Sequence, residues 1–183
     1  MKKLLAASVL PLLSLSLAAQ ATEIDETSFK KRYVELKAGS VTGFPSEYTG
    51  DKLVIGISGG TYLNENVAID ADINYWSNKN YIADEDLLAV SFSALLSTDI
   101  KSESSMTVTP FVKIGLSYLA FDGMYCGYGC VSVTDNEISP SGAVGIRAQS
   151  AQGIYVSLSY TRYFSDMINM DVGTAMIGLG IRY

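Results

Sequence analysis

Few side chains in this sequence are equipped for chemistry, and their types narrow the choice. The 183-residue chain contains no His, which removes Ser-His-Asp hydrolysis, Cys-His proteolysis and His-ligated zinc together. Two carboxylates at alternate positions, Asp70 and Asp72, and two hydroxyls at alternate positions, Ser91 and Ser93, are the remaining pieces of an acid–base or acyl-transfer site. In a packed polar interior the same carboxylates would pair with cations instead, because unpaired buried charge is costly. Cys126 and Cys130 stand in Tyr125-Cys-Gly-Tyr-Gly-Cys130. That spacing is not the Cys-x-x-Cys of a thioredoxin-like dithiol, and a metal site would lack two further ligands. In an exported chain, two Cys so close and flanked by Gly are expected to form a small disulfide, which gains about 2 kcal/mol by loop closure. It would make Tyr125, Gly127 and Tyr128 a rigid contact surface. No catalytic residue, cofactor or metal ligand is expected.

The segments that must position these residues repeat with period two, the signature of strands with two different faces. Eight are read: Tyr33–Ser40, Leu53–Tyr62, Val67–Tyr75, Leu87–Leu96, Val108–Phe121, Gly142–Gln149, Ile154–Tyr163 and Val172–Tyr183. In the clearest, Val67, Ile69, Ala71, Ile73 and Tyr75 oppose Ala68, Asp70, Asp72 and Asn74. Connections alternate as well. Leu63–Asn66, Asp99–Met106 and Ser150–Gln152 are the shorter set; Val41–Lys52, Ser77–Asp86, Asp122–Ser141 and Phe164–Asp171 are the longer. Eight strands joined in this way predict an all-β fold, an antiparallel up-and-down barrel.

Which face points inward decides between water and lipid as the surroundings. The polar face carries mostly Gly, Ser, Thr and Ala, which suit the crowded lumen of eight strands and would make a poor water-facing surface. Its charges nearly balance: Glu35, Asp70 and Asp72 against Lys37, Lys113, Arg147 and Arg182. An interior charge network is expected from these seven, since paired buried charge is tolerable. The other face is almost free of charge, as a lipid-facing surface must be. Tyr33, Tyr62, Tyr75, Trp76, Tyr118, Tyr155, Tyr163 and Tyr183 fall near strand ends and are expected to form aromatic girdles where the barrel meets lipid headgroups.

Composition fits this reading. Charged residues make up 17% of the chain, against about 25% in an ordinary soluble domain. A net charge of −6 argues against a nucleic-acid partner. Residues 1–21 read as a secretory signal peptide: Lys2 and Lys3, an apolar stretch from Leu4 to Ala19, and Ala19-Gln20-Ala21 as the small-x-small cleavage pattern. Its removal leaves 11 basic against 19 acidic residues, a charge of −8. Residues 22–31 are a polar lead-in, and 32–183 the barrel.

The mature sequence resembles the eight-stranded outer-membrane barrels of the OmpA/OmpX type. The local carriers are Thr109-Pro110-Phe111-Val112-Lys113-Ile114-Gly115, similar to a strand-opening Pro-aromatic stretch, and the ending Gly178-Leu179-Gly180-Ile181-Arg182-Tyr183. The terminal aromatic Tyr183 resembles the signal read by the barrel-assembly machinery. The peptidoglycan-binding domain of full-length OmpA-like proteins does not follow Tyr183, so no tether to the cell wall is expected. The resemblance implies a Gram-negative outer-membrane protein, a monomer in contact with outer-membrane lipid. Its four extracellular loops would serve a structural or surface-interaction role toward a surface ligand or host partner. The loops carry Glu47, Asp51, Asp84, Glu85, Asp86, Asp135 and Glu137. Alternatives are a narrow pore, a lipid-modifying barrel enzyme built on Asp70 or Asp72, and a soluble periplasmic binding barrel.

Overall fold

The computed structural model describes residues 32–42, 53–79, 83–101, 106–126, 130–165 and 172–183. The signal peptide (1–21), the lead-in (22–31), Glu47, Asp51, Gly127 and Tyr128 lie outside the described residues. Among those described there are nine strands and no helix: β1 (Arg32–Thr42), β2 (Leu53–Tyr62), β3 (Val67–Lys79), β4 (Ala83–Ser97), the two-residue β5 (Ile100–Lys101), β6 (Thr107–Cys126), β7 (Cys130–Gln149), β8 (Ile154–Tyr163) and β9 (Val172–Arg182). Every pairing is antiparallel. Each long strand pairs with its sequence neighbours, β4 pairs with β6 across the short β5, and β1 pairs with β9. The sheet therefore closes as an eight-stranded barrel, which removes the open edges along the closed part.

Side-chain parity follows the sequence. Leu36 (66% exposed), Ile114 (66%) and Ile177 (62%) stand outside, while Glu35, Lys37, Lys113 and Arg147 are buried. The outer face of β4 is free of charge from Leu88 to Leu96, with Asp86 beyond its upper end. Eight residue steps cover about 27 Å along the strand, or about 20 Å along the axis at a typical tilt, close to the apolar belt of a membrane barrel.

The turn between β7 and β8 shows local chemistry setting register. Gly153 adopts a φ of 94°, which is open to Gly at little cost. Its N–H donates to the Ser150 carbonyl and the Ser150 N–H to the Ile154 carbonyl. Between β2 and β3, the Asn64 side chain accepts from the Asn66 and Val67 amides at 2.9 Å, an Asx-type closure.

Three sequence readings need correction. First, β3, β4, β6 and β7 run further than alternation indicated, so Asp84, Asp86, Asp122, Asp135 and Glu137 lie on strands and not in loops. The β7 extension is exposed on both faces from Cys130 to Asn136, and a strand with two wet faces does not alternate. Second, Glu85 is buried rather than presented in a loop. Third, of the eight girdle aromatics, Tyr33, Tyr62, Trp76, Tyr155 and Tyr163 are buried inside the barrel; Tyr75, Tyr118 and Tyr183 stand outside at 40–45% exposure. Proximity to a strand end was the wrong criterion, because parity alone decides the face.

Candidate functional site

The lumen is layered. Near the short-turn end lies one apolar cluster: Tyr33, Tyr62, Ala68, Leu95, Phe111 and Tyr155. Near the opposite end lies a second, built around Trp76, Leu87, Leu119, Phe121, Tyr163 and Met176. Within each, aromatic rings pack in tilted pairs, Tyr33 with Tyr62 at 5.8 Å and Trp76 with Tyr163 at 6.5 Å between centroids. The charged side chains occupy the space between and around these two plugs.

Alternation places Asp70 and Asp72 two residues apart on β3, both pointing inward. Lys113 of β6 reaches across and donates to Asp70 at 2.6 Å and to Asp72 at 2.9 Å. Lys37 of β1 pairs with Asp72, and the Tyr33 hydroxyl donates to Asp70. Glu35 accepts from the Ser157 hydroxyl, from Tyr155 at 3.2 Å and from Ser58 at 3.5 Å, and faces Arg147 at 3.6 Å. The Arg147 guanidinium also lies over the rings of Tyr33, Phe111 and Tyr155 at 4.4–5.0 Å and donates to the Tyr62 hydroxyl at 3.2 Å. Aromatic faces stabilise a cation where water is absent. Arg182 stands apart from these six. It stacks on Tyr62 at 4.1 Å and meets Asp99 at 3.4 Å.

Asp99 is the counter-ion that sequence reading missed. With it, four carboxylates face four cations. Parity could have found it, because Asp99 continues the inward positions of Leu95 and Ser97 just past the end of β4. Parity also marks Arg147's partners: Tyr33 is in phase with Glu35, and Tyr155 with Ser157.

Chemically, the arrangement neutralises charge. Asp70 and Asp72 each already accept from two cationic or hydroxyl donors, and Ser93 reaches Asp70 only at 3.4 Å. Ser91, Ser117 and Ser141 bond to one another at 2.7 Å in a hydroxyl chain. The cavity beside them, lined by Asp72, Asn74, Ser91, Lys113 and Ser141, measures about 20 Å³, room for about one water. Among the described residues no cluster of three or more Asp, Glu or Cys could hold a metal ion.

A second feature lies beyond the rim. Pairing of β2 with β3 stops at Val54–Trp76, and pairing of β7 with β8 stops at Ser141–Tyr163. Yet β3, β4, β6 and β7 continue as a four-stranded sheet, with Lys79 opposite Asp84, Ala83 opposite Tyr125 and Cys126 opposite Cys130. On the far side of β7, the Phe164 amide donates to the Pro140 carbonyl at 2.9 Å. Beyond that bond no described strand pairs with β7 on this side, and the Ser165 hydroxyl donates to the Glu137 carboxylate at 2.6 Å. That edge is about 30 Å long, and Val131 (63%), Val133 (40%) and Ile138 (69%) are exposed along it.

The profile of a family described as outer membrane protein beta-barrel domain matches residues 7–183. No curated protein matches the sequence. Among solved structures, the chain is similar to Neisserial surface protein A, with 18% identity, a TM-score of 0.62, and 83% of this chain and 97% of that one covered. It is also similar to Ail, the attachment invasion locus protein of Yersinia pestis, with 16% identity, a TM-score of 0.56 and coverage of 84% and 97%. A third similar structure is the outer membrane enzyme PagL, with 14% identity, a TM-score of 0.51 and coverage of 82% and 99%. At these identities the likeness concerns the fold, and one fold hosts several functions.

Proposed function

The chain belongs to the outer membrane β-barrel family, and from that premise we propose that it is a non-enzymatic surface-interaction protein. In this reading the barrel is a lipid-embedded anchor, and the sheet beyond its rim is the working surface. The observation that carries it is the four-stranded extension of β3, β4, β6 and β7 beyond the rim, raised above the apolar belt. Binding surfaces are commonly carried on a rigid scaffold, and this extension presents the exposed apolar side chains Val131, Val133 and Ile138 to a partner. The description of Ail as an attachment protein is in keeping with such a role.

The same reading assigns the Cys126–Cys130 disulfide to the tip of the hairpin. Directly opposed residues of an antiparallel pair have Cα atoms about 4.5–5.5 Å apart, within the range a disulfide requires. The bond would hold β6 to β7 where the ladder ends. A pore is the weaker alternative, because two apolar plugs and a balanced charge layer fill the lumen. A lipid-modifying activity is weaker too, because Asp70 and Asp72 already bond to lysines and a tyrosine in the lumen, while lipid meets the outer wall.

The test trims the hairpin, replacing Asp122–Thr134 with a two-residue turn between the opposed Phe121 and Asp135, and compares the adhesion of cells displaying either form to cultured epithelial cells. Adhesion should fall to background while the barrel still folds. Equal adhesion by both forms would remove the proposal.

A further inference from the structure

The outer wall is not uniformly convex. Between β1 and β4 it carries a groove of about 510 Å³. Its floor is one row of the sheet, because Val34 pairs with Gly59, Gly59 with Ala71 and Ala71 with Phe92. Gly59 and Ala71 are too small to fill the space over their strands. The next row, Ile57 opposite Ile73, forms a bank. Those two side chains are only half-buried, whereas Ile114 and Ile177 on the open wall exceed 60% exposure.

The groove has a direction. Val34 lies two residues into β1 from its start at the short-turn end, Gly59 three residues before the end of β2, Ala71 four residues into β3, and Phe92 five residues before the end of β4. It therefore climbs from the short-turn rim into the apolar belt. Crossing four strands gives it a length of about 15 Å. At its lower mouth stand Arg32, exposed and with no carboxylate within ion-pair distance among the described residues, and Tyr183.

We propose that this groove is a phospholipid site: one acyl chain lies along Gly59 and Ala71, and the headgroup phosphate meets Arg32. The inference rests on the membrane reading, since only lipid surrounds a wall at this depth. The occupant is chosen by charge and shape together. A narrow apolar channel with, among the described residues, one cation at its rim end matches an amphiphile with one anionic end. A second copy of the chain would bring an identical Arg32 and no complementary anion from its own wall.

The experiment uses the folded protein in detergent, with folding checked by its gel mobility before and after heating, so that a failure to fold is seen separately from a failure to bind. Phosphatidylglycerol and phosphatidylcholine are titrated in and retention is read by native mass spectrometry. Ala71→Phe and Gly59→Leu fill the groove. A Cβ at Gly59 would come no nearer than 3.4 Å to the Tyr33 carbonyl, so the added side chain is tolerated. Both should weaken retention about tenfold, the weight of about two buried methylenes. Ala38→Phe, on the open wall, should change nothing. Arg32→Gln should keep chain binding but lose the preference for phosphatidylglycerol over phosphatidylcholine. Equal retention by all variants would mean non-specific annular lipid and overturn the proposal. So would an unchanged headgroup preference in Arg32→Gln. A concentration-dependent dimer abolished by Ala71→Phe would give the groove to a second copy and overturn it too.

Discussion

Replacing Lys113 with Met should cost about 3–5 kcal/mol, the range for breaking a buried ion pair from one side. Among the described residues Lys113 is the only cation in contact with Asp70, at 2.6 Å, and it shares Asp72 with Lys37. At an effective dielectric of about 20 each contact is worth about 6 kcal/mol of attraction, most of which offsets the desolvation of three charges. Met fills similar volume without the charge. Asp72 keeps Lys37, but Asp70 keeps only hydroxyl donors, Tyr33 and the distant Ser93. The loss should therefore concentrate on Asp70, and adding Asp70→Asn to Lys113→Met should recover most of it. The assay is reversible urea unfolding in lipid vesicles, followed by the fluorescence of Trp76, the single tryptophan, with a double-mutant cycle over the two sites. A loss below about 1 kcal/mol for Lys113→Met, or additive losses in the double variant, would refute the reasoning that the lumen is a dry, charge-matched interior.

Other consequences follow from the same structure. Arg147→Lys keeps the charge but loses a planar stack over three rings, and should cost about 1–2 kcal/mol in the same unfolding assay. Leu36→Arg should destabilise the protein in bilayers by about 2–4 kcal/mol, whereas Ile138→Arg, above the belt, should cost under about 0.5 kcal/mol. Gly115→Val should abolish folding in a refolding yield assay, because a Cβ there collides with the Phe92 carbonyl and the Ser93 backbone. Replacing Cys126 and Cys130 with Ser should cost at most about 2 kcal/mol and chiefly raise the rate of proteolysis at the hairpin tip, read by mass mapping of the fragments.

Much of the barrel was legible because its two faces differ in the property that matters most. Alternation on β3, with Ile69, Ala71 and Ile73 against Asp70, Asp72 and Asn74, is enough to orient the strand. The low charge of one face then says what surrounds it. The sheet beyond the rim was not legible for the same reason inverted. From Cys130 to Glu137 both faces of β7 meet water, so no period survives and the segment reads as a loop. What holds it extended is the continued hairpin ladder to β6, from Cys126 opposite Cys130 to Leu119 opposite Glu137, a pairing that composition does not encode. The interior aromatics were misplaced by a competing rule. Tyr near strand ends suits lipid interfaces, but Tyr33, Tyr62 and Tyr155 serve as ring platforms for Arg147 and Arg182. The groove between Val34 and Phe92 was beyond sequence reading, since it arises from small residues aligned across neighbouring strands by register.

The central claim is that the barrel sits in the outer membrane with the β6–β7 hairpin outside the cell. The most direct measurement places a thiol on exposed Val131, as Val131→Cys in a Cys126→Ser, Cys130→Ser background, and treats intact cells with a membrane-impermeant maleimide before fractionation. The account predicts a labelled protein in the outer-membrane fraction. Label that enters only after lysis, or a protein recovered from the soluble periplasm, would contradict it.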